Sequence, residues 1–244
     1  LQNDAGTEVG VGTLVVQERS TDAMNLWTAP ASAAGSIQDP AGVYEAIGAG
    51  TITQDTTIAS QDVLVHQIQV SGVYGAIQAQ LDAGAADEEA ALVAVLNSSA
   101  ASLSMVQTGD FPNSNPKRLD IAESAGAGAI NVIVDDANNT VFVNVDTEAA
   151  VFERGDSSYD AFNDDGTSNN LGIGDDSYNV TFTVTDATSL ADADQSVSAE
   201  FGAVARTGSI NAGETVEVDS AAGQTISGET SIAPGSDVTV RVRS

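Results

Sequence analysis

Ser177-Tyr-Asn-Val-Thr-Phe-Thr-Val-Thr185 alternates without a break. Tyr178, Val180, Phe182 and Val184 fall on one side, and Asn179, Thr181, Thr183 and Thr185 on the other. Successive side chains of a strand point to opposite faces, so this period predicts a strand with one buried and one wet face. Ser196-Val-Ser-Ala-Glu-Phe201 repeats the pattern, with Val197, Ala199 and Phe201 inward. Val63–Val70 is β-rich, and Leu64, His66, Ile68 and Val70 share one face. Ala129–Val134 and Thr140–Val145 flank the loop Asp135-Asp-Ala-Asn-Asn139, which reads as a β-hairpin. Glu214–Val218 and Asp237–Arg243 follow as further strands, and a weaker strand signal lies at Gly12–Gln17. One helix is expected over Asp87–Leu96, where acids suit the N-terminus and Leu92, Val95 and Leu96 form an apolar stripe. Many short strands with one helix give the fold class: all-β, an Ig-like antiparallel β-sandwich with one short helix.

The 244 residues carry 35 acidic and 7 basic side chains, a net charge of -28, with no cysteine and one histidine. That excludes disulfides, cysteine-ligated metals and a multi-histidine cage. It also speaks against nucleic acid as a partner, since few cations are present to displace counterions from phosphates. No apolar run is long enough to span a membrane as a helix. The hydrophobic fraction of 42% sets the chain apart from disordered acidic tails. At 1 M salt the Debye length falls to about 3 Å, which screens the self-repulsion of such a coat. The composition therefore points to a protein of a salt-saturated environment. Leu1 is not an initiator methionine and no leader pattern follows it, which reads as a mature or excised segment.

Three segments are expected. Residues 1–60 form an N-terminal β segment packing on the main domain, and 61–207 an Ig-like β-sandwich. Residues 208–244 carry no aromatic side chain and too little apolar bulk for a core of their own. They read as the start of a second β-domain or as an assembly strand region.

Asn97-Ser-Ser, Asn138-Asn-Thr and Asn179-Val-Thr match the N-glycosylation pattern. In a chain this rich in Asn, Ser and Thr, three matches are no more than chance supplies, so position is the useful signal. Asn138 falls in the hairpin loop and Asn179 on the wet face, while Asn97 sits where a helix C-cap is expected. The acidic stretch from Glu153 to Asp194 reads first as a hydrated loop. Its alternative is a Ca²⁺ or Mg²⁺ site built from Asp160, Asp164, Asp165, Asp175 and Asp176. No other cofactor is implied. His66 reads as a hydrogen-bonded core histidine, and Trp27 as an anchor for the N-terminal segment. Lys117-Arg118 reads as a charge partner for local acids such as Asp120. Arg241 and Arg243 share a face of the last expected strand and would suit an acidic partner. Nucleophile elbows, phosphate-cradling loops and histidine dyads are absent from the sequence, so it is not read as an enzyme.

Several of these stretches are similar to haloarchaeal surface-glycoprotein domains of the kind found in S-layer glycoproteins. They are Ser20-Thr-Asp-Ala-Met-Asn-Leu-Trp-Thr28, Asp62-Val-Leu-Val-His-Gln-Ile-Gln-Val-Ser-Gly-Val-Tyr-Gly-Ala76, Asp176–Thr185, and Ser196–Phe201 with Arg206. The fullest match is Ala222-Gly-Gln-Thr-Ile-Ser-Gly-Glu-Thr-Ser-Ile-Ala-Pro-Gly-Ser-Asp-Val-Thr-Val-Arg-Val-Arg-Ser244. The resemblance implies an exported cell-surface protein of Ig-like domains, N-glycosylated and structural in role. In that family the Val-Arg-Val-Arg-Ser strand is followed by more of the same domain, and a membrane-anchoring segment lies further on. The function expected is thus a structural, S-layer-like glycoprotein segment of an extreme halophile. It would self-associate with identical or related surface subunits into an extracellular lattice or filament. The rival readings are a surface adhesin or viral spike binding module, and a secreted carbohydrate-active enzyme.

Overall fold

The computed structural model describes residues 13, 18–109, 115–154, 176–210 and 219–241, and the backbone of 157–160. The first half of the chain comprises β1 (Thr21–Ala29), α1 (Pro40–Ala49), β2 (Thr53–Gln54), β3 (Thr57–Ala59), β4 (Val63–Val70), α2 (Tyr74–Asp82), α3 (Glu88–Leu96) and β5 (Ala101–Thr108). There follow β6 (Arg118–Leu119), α4 (Ile121–Gly126), β7 (Ile130–Asp135), β8 (Thr140–Asp146), β9 (Val151–Arg154) and β10 (Ser157–Asp160). The last elements are β11 (Asp176–Val184), β12 (Gln195–Val204), β13 (Gly208–Ile210) and β14 (Gly228–Thr230).

These strands build an all-β sandwich. One sheet has the order β2-β1-β4-β8-β7, and the other β10-β9-β6-β5-β11-β12-β3. Every pairing is antiparallel except β12 with β3. β11 lies between β5 and β12, and Tyr178, Val180, Phe182 and Val184 are all buried while the alternate residues face outward. The expected hairpin is present as β7 and β8, joined by a 3₁₀ turn over Asp136–Asn138. Asn139 closes that turn at φ 50°, a left-handed conformation that asparagine tolerates better than most residues.

Between the sheets, Leu64, Ile68 and Val70 of β4 meet Leu103 and Met105 of β5, Val180 and Phe182 of β11, and Phe201 of β12. β4 also buries its other face. Val63 and Val65 join Ile133, Phe142, Val43 and Ile37 in a second core under α1. The molecule is therefore layered: α1, then the five-stranded sheet, then the seven-stranded sheet.

The expected helix is α3, with Ala91, Leu92, Val95 and Leu96 buried against the main core. Asp87 caps it by accepting the Ala90 N–H at 2.9 Å. Three further α-helices depart from the expectation of a single one. Asp39 caps α1 through the Gly42 N–H at 2.7 Å, Pro40 occupies its first turn, and Gly50 ends it at φ 73°. Asp120 caps α4 through the Glu123 N–H at 2.9 Å. The abundant aspartates thus do local structural work as well as coating the surface. Among the described residues, only Asp62 and Asp135 are buried acids.

At the C-terminal side, β13 and β14 form a separate two-stranded ladder. The strand expected over 237–243 is not seen in its described part, residues 237–241, which join no ladder. The strand signal at 214–218, and that at 12–17 apart from Thr13, lie outside the described residues.

Candidate functional site

All three sequon asparagines lie at the surface. Asn97 is exposed and forms the C-cap of α3, its N–H donating to the Val93 carbonyl at 3.0 Å. Asn138 is exposed at the tip of the β7–β8 hairpin. Its Nδ2 donates to Asp135 Oδ2 at 2.7 Å, and Thr140 Oγ1 donates to the Asn138 carbonyl at 3.1 Å. Asn179 is half-buried on the outer face of β11, and Thr181 of its own sequon donates to Asn179 Oδ1 at 2.9 Å.

Asp135 knits the hairpin to α1. It also accepts from Tyr44 Oη at 2.9 Å. Partial burial, followed by the carboxylate of Asp135, pushes the Tyr44 phenol above its usual range. The ring of Tyr44 meets Phe142 edge-on at 5.7 Å.

A second polar knot joins the β13–β14 ladder to the sandwich. Asp62, just before β4, is fully buried. Its Oδ1 accepts from Arg206 Nη1 at 3.2 Å, and its Oδ2 accepts the Ala233 N–H at 2.6 Å. Arg206 also donates to the Ser60 carbonyl, and Ser231 Oγ to the Ala205 carbonyl. Burial raises the Asp62 carboxyl, and the Ala233 N–H and Arg206 only partly offset it. Asp62→Asn keeps an acceptor for Ala233 but sets its amide N–H against Arg206, so it is expected to destabilise the fold in high salt by less than Asp62→Ala. Asp62→Ala strands the Ala233 N–H and is expected to cost about 1–3 kcal/mol. Denaturant titrations at fixed salt check the pair, and equal effects would rule out this role.

Beyond the knot, among the described residues, β13 and β14 pair only with each other. Ile210, Ile226, Val238 and Val240 line one groove and are exposed, the two valines at 66% and 59%. Arg241 lies at the end of this row and is exposed, while Arg243 lies outside the described residues.

Other expected sites resolve differently. Asp176 makes an ion pair with Lys117 and accepts from Gln107 Nε2, so it is not an open cation ligand. Asp164, Asp165 and Asp175 lie outside the described residues, as does the side chain of Asp160. Lys117 is buried against Asp176 rather than paired with Asp120, which caps α4. His66 is fully buried, and its Nδ1 donates to the Val143 carbonyl at 2.9 Å. Burial lowers the imidazole to about 4. Trp27 Nε1 donates to Gln67 Oε1 at 3.1 Å, pinning β1 to β4. No local pattern marks the knot at Asp62, because Arg206 stands 144 positions away.

Among the described residues no group of three or more His, Cys, Asp or Glu is placed to hold a metal. None of their helices is long and apolar enough to cross a membrane.

A cell surface glycoprotein of Haloferax gibbonsii is 34% identical over 98% of this chain. Cell surface glycoproteins 2 and 1 of Haloarcula hispanica are each 33% identical over 96% of it. The chain spans 25% of the length of each. No family model matches, and no solved structure does. The matches run through both sheets and the C-terminal ladder alike: over nearly all of its length the chain is similar to haloarchaeal cell surface glycoproteins, of whose length it covers a quarter.

Proposed function

We propose that this chain is a rigid, acid-coated building block of an extracellular lattice or filament at the cell surface of a halophile. The observation that carries the reading is the row Ile210, Ile226, Val238 and Val240, left exposed beside a two-stranded ladder in a chain otherwise coated with carboxylates. Apolar side chains grouped in this way mark a contact surface. A β element of a neighbouring, identical or related surface subunit covers them by adding to the ladder. Arg241, at the end of the row, meets the neighbour's acidic coat. The buried knot at Asp62 holds this surface at a fixed angle to the sandwich, which regular assembly needs. The naming of the relatives as surface glycoproteins, not as enzymes, supports a structural role over a catalytic one.

Deleting residues 237–244 is expected to abolish polymers while leaving the subunit soluble. Polymers of normal form from the deleted chain would overturn the reading. N-linked glycans belong to the proposal, with Asn138 the best-presented acceptor. Peptide mapping of protein from the native host should find a glycan there, and three bare sequons would remove that part.

A further inference from the structure

The chain's single lysine is in its core. Lys117 is 1% exposed, although the other six basic residues are all arginine. Its Nζ stands 2.5 Å from Asp176 Oδ2. The Asp176 side chain keeps 22% of its surface exposed, so the lysine is the partner that gives up its hydration, and the pair adds little to stability. The surroundings, however, suit a reaction between them. Gln107 Oε1 accepts two N–H donors, the Lys117 backbone at 3.1 Å and Arg154 Nη2 at 2.9 Å. That fixes which end of the amide is which, and aims Nε2 at Asp176 Oδ1 at 2.7 Å. One carboxylate oxygen thus faces an amine, and the other a held N–H donor. Tyr178 lies directly across from Gln107 in the ladder, stacked on Phe201 at 5.3 Å and tilted to Phe152 at 5.5 Å. These buried rings keep the adjoining core dry.

We propose that Lys117 and Asp176 condense to an intramolecular amide, a covalent staple across β5 between the start of β6 and β11. One proton passes from Nζ to Oδ2, leaving a neutral amine and a neutral acid. The Nζ lone pair adds to Cγ, and the negative charge gathers on Oδ1, where the Gln107 N–H meets it. The nitrogen gives a second proton to Oδ2, the Cγ–Oδ2 bond breaks, and one water departs. The third hydrogen stays on the amide nitrogen, so atoms and charge balance without a co-reactant. The staple would close the chain between 117 and 176 and lock three adjacent strands of the seven-stranded sheet.

Mass spectrometry reads the result directly. Protein taken from the native host and digested after denaturation should yield a branched peptide joining the segments of Lys117 and Asp176. The same chain made in bacteria and refolded in multimolar salt should weigh one water less than its sequence. Lys117→Arg keeps the charge pair but cannot close, and should show full mass. Gln107→Ala leaves both reacting groups in place and should slow closure on the order of a hundredfold in a refolding time course. Linear peptides from native material, with a Lys117 amine free to be acetylated after denaturation, would overturn the proposal.

Discussion

Replacing Phe142 with alanine is expected to cost about 3–5 kcal/mol of folding stability, among the largest effects a single side chain can have here. Phe142 is fully buried on β8, on the face of the five-stranded sheet that α1 covers. It fills the space between Val43, Val65 and Ile133, and its ring supports Tyr44. The truncation removes the ring and leaves a cavity that the three stiff β-branched neighbours cannot close. Tyr44 in turn loses the surface that aims its hydroxyl at Asp135, so α1 and the hairpin loosen together. Denaturant unfolding at constant salt is the check. Ser198→Ala, on the exposed face of β12, is the control and should fall within about 0.5 kcal/mol of the parent. A Phe142→Ala chain as stable as this control would mean that α1 does not seal a second core.

The other large effect is a loss of stability in mild acid that traces to His66. The imidazole is neutral in the fold, with a pKa of about 4 against an ordinary 6.5. Between these values the unfolded chain binds a proton that the folded chain refuses. Stability therefore falls as pH drops from about 6.5 to about 4, by about 3 kcal/mol in all, and the His66 contribution is flat below that. Protonation of the carboxylate coat relieves repulsion over an overlapping range and works in the opposite direction. The comparison that isolates the histidine is therefore between the parent and His66→Leu across this pH window in the same salt. The difference between their stabilities should change with pH by about 3 kcal/mol. A difference that stays constant would mean that the imidazole is not sealed from water.

Much of the fold can be read from local pattern. The period-two run of β11 reports its single buried face, and the loop Asp135–Asn139 marks the hairpin because its flanks are both β-rich. The acids at Asp87–Glu89 announce α3. Other features escape for identifiable reasons. α1 spreads its apolar contacts thinly among Ala and Gly, with Val43 its one buried residue, so no helical stripe stands out. The readable signal there is Asp39-Pro40 at the start and Gly50 at the end. α2 begins without a side-chain cap, three residues beyond the end of β4, so no start signal sets it apart from the strand before it. Burial of both faces of β4 depends on α1, so the alternation of Val63–Val70 describes only half of its surroundings.

Long-range polar partners are the hardest to foresee. Lys117 has Asp120 three positions away, yet its partner is Asp176, brought close only when β6, β5 and β11 align. Asp62 is one of 35 acids and looks like the rest until its partners Arg206 and Ala233 arrive from the far end of the chain. Sequons, in contrast, are visible at once, and the fold adds that all three asparagines lie at the surface.

Electron microscopy of this protein, purified from its native host and imaged in multimolar salt, tests the proposed assembly most directly. Ordered sheets or filaments that dissolve when the 237–244 segment is removed are the predicted result. Dispersed single particles under the same salt, with the segment intact, would contradict it.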